Sequence, residues 1–361
     1  MAVKFVFLPL VREGASRMCW MSRKRNVSLA DVAKEAGVAL STASRALNAT
    51  YGVAPATREK VLEAATRLDF VASPDARVLA KGSSRRVALV VPHINRWFFG
   101  EMVNGIERVT AEAEVDLLLY HVDDENHRRG FFEKLPARRL VEAMVIVAFP
   151  VDEEEALRLE KMGVIILAAG GQSTHYPHVC IDDYAAAKTA VEHLTDLGHR
   201  KIAMLSSREP AVPNWPLIPG RRQGYFDALA EVGAVPEPEW LLEVDWGEAQ
   251  AVTAVLKLAE RDILPTALFA HSDELALAAI GALQSVGLRV PEDISVIGID
   301  DHPLASPLGL STVRQDPFAQ GELVGHMVLQ ALGVERAGEP IVSTVMETEL
   351  VARRSTAPSR R

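Results

Sequence analysis

Cysteine is scarce: Cys19 and Cys180 are the only two. Two thiols this far apart make neither a disulfide framework nor a cysteine-rich zinc site, so a reducing compartment is the simpler expectation. Long apolar runs are also missing. No stretch reaches the roughly 18 residues of a membrane-spanning helix, so no membrane partner is expected. Enzyme signatures are lacking too. There is no GxxxxGK[ST] loop, no GxGxxG after a strand, no GxSxG elbow and no His/Cys metal spacing. Paired carboxylates such as Asp182 and Asp183 would point to opposite sides of a strand, which suits general acid–base chemistry poorly. The expectation is a protein that is not an enzyme and carries no metal or cofactor.

What is present describes a soluble, multi-domain chain. At 361 residues it exceeds what one hydrophobic core usually serves, so two or three domains are expected. Lys4 precedes the apolar "FVFLPLV", which is too short and lacks the cleavage site of a secretion signal. With Met21 opening "MSRKRN", residues 1–25 read as a disordered extension or a start placed too early. Charge is uneven. Residues 21–86 hold 12 Lys/Arg against 6 Asp/Glu, and residues 1–20 hold 3 against 1, which leaves −17 of the total −9 on residues 87–361. A small basic module on a large acidic body suggests that the module meets an anionic polymer.

Within the module, Leu29, Val32, Ala33 and Ala36 fall at helical spacing after Ser28, a candidate N-cap, and before Gly37, a candidate left-handed C-cap. A second helix is expected from about residue 40 to 48, with Ala43, Ala46 and Leu47 inward and Leu40, Ser41, Ser44 and Arg45 outward. Two such helices cannot bury enough surface alone. "VAPATREKVLEAATRLDF" supplies a third, with Pro55 at its first position and Val61, Ala64, Ala65 and Leu68 as its stripe. Helix, glycine turn, helix and third helix form a helix-turn-helix pattern.

From Val87 the pattern changes. Continuous apolar strands such as "RVALVVP", "AMVIVAFP", "VIILAAG", "HVCIDD", "KIAMLSS", "TALFAHS" and "DISVIGIDD" alternate with amphipathic helices. This is the signature of parallel sheets covered on both faces, and the segment is long enough for two. Ligands of such sheets bind outside the carboxyl ends of the strands. Polar groups gather there: Asn95 ahead of Arg96–Phe99, Asp182–Asp183, Arg221–Arg222, Ser272–Asp273 and Asp300–Asp301. Asp183, Asp273 and Asp301 are either helix caps or ligand groups. Carboxylates and guanidinium beside aromatics suit a neutral polyol or sugar.

"VSLADVAKEAGVALSTASRALN" followed by "TREKVLEAATRLDF", and then "ASPDARVLAKGSSRRVALVVP", resembles the LacI-type (lactose repressor) family of bacterial transcription regulators, over nearly everything from residue 26 to 355. The resemblance implies an α/β protein with a three-helix helix-turn-helix headpiece and a periplasmic-binding-protein-like body of two doubly wound parallel-sheet subdomains. It places the headpiece at 26–71, a hinge at 72–85 and the effector-binding and dimerisation body at 86–355. The first subdomain is expected at about 86–181 and 311–337, the second at about 182–310 and 338–355, with a tail at 356–361. It further implies that Leu40, Ser41 and Arg45 read bases and that Ser28, Thr42, Ser44, Asn48 and Thr57 face phosphates. Ala76 and Leu79 match the hinge positions that enter the minor groove. Ala39 and Ala54 stand where the family usually has a capping Ser, so a modestly stable headpiece is expected. Effector-binding positions match Asn95, Phe98, Arg221, Ser272 and Asp300. Arg221 is preferred to Arg222 because the family's Arg stands three residues before a Gly, here Gly224. Trp215 is either a stacking residue or a loop anchor.

The function implied is a sequence-specific repressor, bacterial and cytoplasmic on the nucleoid, working as a homodimer on a near-palindromic double-stranded operator. A mono- or disaccharide between the subdomains controls it. No leucine-heptad tail argues for a tetramer. The alternatives are a sugar-binding transport protein, which would not need residues 26–82, and a regulator with a purine or nucleoside effector.

Overall fold

Ser28 and Gly37 bracket the first helix, α1 (Leu29–Ala36). Ser28 Oγ accepts the Asp31 N–H, and the Asp31 carboxylate accepts the Ser28 N–H, a reciprocal capping box. Gly37 ends the helix at φ 66°, a conformation that side chains with a Cβ disfavour. The next two helices, α2 (Leu40–Leu47) and α3 (Pro55–Arg67), start without such help. The Ala39 carbonyl accepts from Thr42 and Ala43 N–H at 2.9 and 3.0 Å, which makes Ala39 the capping position, but it has no side-chain oxygen to offer. Ala54 caps α3 with no side-chain bond, as expected from sequence. Val32, Ala33, Ala43, Ala46, Val61, Ala64 and Ala65 form the core. Five alanines among seven core residues let the helices cross closely.

The computed structural model describes residues 27–47, 52–70, 85–138, 140–171, 173, 175–208, 219–245, 247–335 and 341–360. The chain forms two compact units, residues 1–82 and 83–361.

The second unit alternates strands and helices. Its first part runs β1 (Arg86–Val91), α4 (Trp97–Glu112), β2 (Asp116–His121), α5 (Glu125–Lys134), β3 (Ala143–Val147), α6 (Glu153–Glu160), β4 (Ile165–Ala169) and β5 (His178–Ile181). Next come α7 (Asp183–Asp196), β6 (Ile202–Arg208), α8 (Pro219–Glu231), β7 (Leu241–Asp245), α9 (Glu248–Ala259), β8 (Ala267–Ala270), α10 (Asp273–Ser285) and β9 (Ser295–Asp300). The chain closes with α11 (Ala305–Leu308), β10 (Ser311–Arg314), α12 (Pro317–Ala331), β11 (Thr344–Met346) and β12 (Glu349–Val351). Two six-stranded sheets result, ordered β11-β5-β4-β3-β1-β2 and β12-β10-β9-β8-β6-β7. The first is parallel throughout, and in the second only β12 runs antiparallel, against β10. Successive residues of β1 enter two different cores, Val87, Leu89 and Val91 on one face and Ala88 and Val90 on the other. That two-sided burial is why these strands read as unbroken apolar runs.

The subdomain boundaries differ from those expected. Strand β10 was expected in the first subdomain, from residue 311 on, but it pairs with β9 in the second sheet. Its sequence, STVR, is too short and polar to announce a buried strand, and its hydroxyls find partners only after folding: Thr312 donates to Asp273. The chain returns to the first sheet after Arg314 through α12, which shares a core with α4. Strand β11, expected in the second subdomain, pairs with β5 of the first. Residues 356–361 were expected as a tail. Ala357 instead accepts from His199 Nε2 at 2.9 Å, and the Ser359 N–H donates to the Leu197 carbonyl at 2.7 Å.

Helix α12 lies against α4 with almost no space between backbones. A Cβ on Gly321 would stand 2.3 Å from the Met102 carbonyl oxygen, and one on Gly105 would stand 2.1 Å from that of Phe318. Glycine at both positions permits this approach, which anchors the end of the return crossing to the first subdomain.

Candidate functional site

In the first unit, α2 presents Leu40, Ser41 and Arg45 to solvent on one face, with Thr42 and Ser44 half-buried beside them. Leu40 is 54% exposed on this face. Arg45 Nε donates to the Ser41 carbonyl at 3.3 Å, steadying the stem and leaving the terminal nitrogens outward. Thr57 sits half-buried in the first turn of α3. The Ser28 hydroxyl hydrogen goes to Asp31 Oδ2 at 2.6 Å, so a phosphate contact there would compete with the capping box. Asn48, Ala76 and Leu79 lie outside the described residues. The helices themselves are electroneutral: Lys34, Arg45, Arg58, Lys60 and Arg67 face Asp31, Glu35, Glu59, Glu63 and Asp69. The module's excess of positive charge resides on its flanks, at Arg23–Arg25 and in residues 77–86.

In the second unit, the carboxyl ends of β8 and β9 and the starts of α7, α8 and α10 converge. Arg221, 8% exposed, stands in the first turn of α8. Its Nε donates to Asp183 Oδ1 at 2.7 Å and its Nη1 to the His271 carbonyl. Burial opposes its charge, yet Asp183, Asp300 and Asp273 together hold its pKa above the usual value. Arg222 instead lies over the Phe226 ring at 5.1 Å. Ser272 caps α10, accepting the Leu275 N–H at 3.3 Å. Asp300 is buried, accepts from the Asp273 N–H and, at 2.7 Å, from Gln315 Nε2, and sits at φ 132°. A non-glycine residue in that region is strained, and such strain gathers at functional positions. Asp273 accepts from the Thr312 hydroxyl at 2.7 Å and the His302 N–H at 2.9 Å. Burial pushes both carboxyls, Asp273 and Asp300, well above the ordinary range, and the charge of Asp300 adds to the effect on Asp273.

Of the three acids that sequence left open as caps or ligand groups, none is an N-cap. The caps are Asp182 for α7 and Ser272 for α10. Asp301 is held below its usual pKa, burial notwithstanding, by Arg314 at 2.7 Å and Arg353 at 2.6 Å.

Asn95 and Phe98 lie on the facing side, at the end of β1 and the first turn of α4. Asn95 is exposed, while Phe98 packs edge-on against Phe99 at 5.3 Å and into the first core. Among the described residues, Arg96 reaches Glu274 of α10 at 3.4 Å, and Trp97 meets His302 edge-on at 5.1 Å, joining the two sides. The structure thus unites Arg221, Ser272 and Asp300, and places Asn95 and Phe98 beside Arg96 and Trp97, which reach Glu274 and His302. Trp215 lies outside the described residues. Sequence reasoning missed His271, Gln315, Gln320 and the Arg96–Glu274 pair. The dipeptide His271–Ser272 at a strand end was the available signal. Among the described residues, no helix is long and apolar enough to cross a membrane.

Comparisons with known proteins agree on one group. Residues 28–73 match the family described as "Bacterial regulatory proteins, lacI family", and residues 191–356 match the "Periplasmic binding protein-like domain". The chain is 32% identical to catabolite control protein A of Priestia megaterium over 322 residues, 88% of this chain and 96% of that one. It is 30% identical to the HTH-type transcriptional repressor CytR of Escherichia coli (strain K12) over 335 residues, 91% of this chain and 96% of that one. Among solved structures, the lac repressor dimer bound to operator and the anti-inducer ONPF superposes with a TM-score of 0.77 at 25% identity, over 92% of this chain and all of that one. The transcriptional regulator CelR–cellobiose complex gives 0.65 at 28% identity, over 91% and 99%.

Proposed function

The chain belongs to the lacI family of bacterial regulatory proteins, and from that premise we propose that it is a homodimeric repressor of a near-palindromic operator whose affinity is set by a mono- or disaccharide. The observation that carries the reading is the pairing of two devices in one chain. One is a helix, α2, with Leu40, Ser41 and Arg45 outward. The other is the cluster of Arg221, Asp183, Asp273 and Asp300 at the strand ends of a two-sheet body. Arg45 supplies a bidentate contact to guanine, worth about 1–3 kcal/mol of discrimination. Leu40 meets an apolar base edge such as a thymine methyl. Thr42, Ser44, Asn48 and Thr57 set register on phosphates. Ala76 and Leu79 in the hinge wedge the minor groove and kink the duplex.

The body acts as a two-state element. One arrangement of its subdomains holds the two hinges together on DNA, and the sugar stabilises the other. It can do so only through its differential affinity for the two states, and operator DNA must weaken sugar binding by the same factor. The lac repressor complex with operator and the CelR complex with cellobiose support both halves of this reading. The family relatives are regulators, not enzymes.

A gel-shift titration on the DNA upstream of the protein's own gene tests the DNA half. A sequence-specific shift that weakens steeply with salt is expected, because phosphate contacts release counterions. Arg45→Ala should lower discrimination between operator and a guanine-substituted site about 5- to 150-fold. No specific shift at any salt concentration would favour a transport role. Calorimetry against mono- and disaccharides tests the other half, and binding of a purine or nucleoside in their place would redirect the effector class.

A further inference from the structure

Among the described residues of the second unit, two buried side chains beside the cluster carry polar atoms with no hydrogen-bond partner. His271 is 1% exposed, and neither ring nitrogen has a hydrogen-bond partner. Gln320 is 0% exposed, and its Oε1 has none either. Folded proteins seldom bury polar groups unpaired without a use for them.

Both groups adjoin the cluster described above. His271 follows β8 and directly precedes Ser272, and its own carbonyl accepts from Arg221. Alternation along β8 puts its ring on the same face as Phe269, 5.5 Å away, at the carboxyl end of the strand. Gln320, at the start of α12, donates to Gln315 at 2.9 Å, and Gln315 donates to Asp300 at 2.7 Å. One orphan therefore stands on the second subdomain, and the other on the helix that returns to the first.

The charge around them defines what they can take. Arg221 is engaged by Asp183 and the His271 carbonyl, and Arg96 by Glu274. Burial, then Arg221 and Arg222, push the His271 imidazole down to about 3, so at neutral pH it carries no charge. Such a ring has one N–H donor and one acceptor nitrogen. Gln320 Oε1 only accepts. A hydroxyl group, which donates and accepts, answers both. A phosphate or carboxylate would have to compete with Asp183 for Arg221 and with Glu274 for Arg96, while Arg222 lies over the Phe226 ring.

We propose that His271 is a specificity-determining residue of the effector site, pairing with a hydroxyl of an uncharged polyol while Gln320 Oε1 receives a second hydroxyl, and that the site rejects phosphorylated sugars. The proposal rests on the effector cleft assigned under the proposed function.

Calorimetry of the full chain with ribose, glucose, cellobiose, ribose 5-phosphate and glucose 6-phosphate tests it. At least one uncharged sugar should bind, with the sugar phosphates roughly 100-fold weaker or worse. His271→Leu should weaken the sugar about 30-fold, and His271→Gln, which keeps a donor and an acceptor, no more than about fivefold. Gln320→Met, close in shape but without the acceptor, should weaken it about tenfold, and this variant carries the test if His271→Leu fails to fold. Tighter binding of a sugar phosphate overturns the proposal, as does unchanged affinity in Gln320→Met together with either unchanged affinity or misfolding in His271→Leu. Asp300→Asn separates the two levels. If it abolishes sugar binding while His271→Leu leaves it intact, the cleft reading survives and this proposal falls. If no sugar binds the unmodified chain, both fall.

Discussion

Ala39→Ser should stabilise the headpiece, and the structure sets the size of the gain. The Ala39 carbonyl already accepts the Thr42 and Ala43 N–H groups, so the backbone there is in capping position and needs no rearrangement. What is missing is a side-chain oxygen for the free amides of the first turn of α2. Restoring it is worth about 0.5–2 kcal/mol, centred near 1. For a unit this small, 1 kcal/mol moves the melting midpoint by about 4–8 °C or more. It also slows opening of α2 about fivefold, which hydrogen exchange on the full chain reads directly at the Ala46 and Leu47 amides. A Ser at position 39 can also donate to a phosphate, so operator affinity should rise. Helix α1, with its reciprocal Ser28–Asp31 box, is the internal control, since its first turn already has what α2 lacks. Unchanged exchange in α2 together with unchanged operator affinity would refute the argument that a bare cap limits this headpiece.

Two further perturbations probe the body. Gly321→Ala puts a methyl 2.3 Å from the Met102 carbonyl and 3.1 Å from Ile106 N, and backbone atoms cannot rotate away. It should destabilise the body by about 1–3 kcal/mol or more, and a urea midpoint equal to wild type would sink the claim. The second concerns pH. Asp273 and Asp300 hold protons in the fold that the unfolded chain sheds near pH 4, because burial penalises their charge. Unfolding free energy from this pair therefore falls as pH rises from about 4 toward neutrality. Asp273→Asn, which mimics the protonated form, should gain stability relative to wild type between about pH 5 and pH 8, and a constant difference in melting temperature would contradict this. On the acid side, burial lowers the pKa of His199, so its stabilising effect is lost as pH falls below about 6.5 and the unfolded chain takes up the proton first.

The cluster around Asp300 is connected to both subdomains. Asp300, Gln315 and Gln320 form a continuous hydrogen-bonded path from the end of β9, through the return crossing, into α12. That helix is locked to α4 by Gly105 and Gly321, and α4 begins at Arg96 and Trp97, which touch Glu274 and His302 of the second subdomain. This path and these contacts join the end of β9 to elements of both sheets.

Much of this was legible in the residues alone. The helix-turn-helix follows from a 3.6-residue stripe, a capping serine and Gly37, all local signals. The strands facing two cores were visible as apolar runs for the same reason. Arg221, Ser272 and Asp300 were identified as strand-end or helix-start polar groups. The reading weakened where strands are short or polar, as at β10, whose Ser311 and Thr312 look like surface residues until Ser355 and Asp273 supply their partners.

By itself the sequence determined the headpiece, the alternation of strands and helices, the bare caps at Ala39 and Ala54 and the family. These depend on periodicity and on residue types a few positions apart. Tertiary structure alone decided which acids are paired and which are held protonated, where the chain crosses between sheets, and that the His271 ring nitrogens and Gln320 Oε1 are buried without partners. Those outcomes join residues far apart in the chain, such as Arg96 with Glu274 and Asp183 with Arg221. Burial and distance, which set the energy of every charge and hydrogen bond, exist only once the chain has folded.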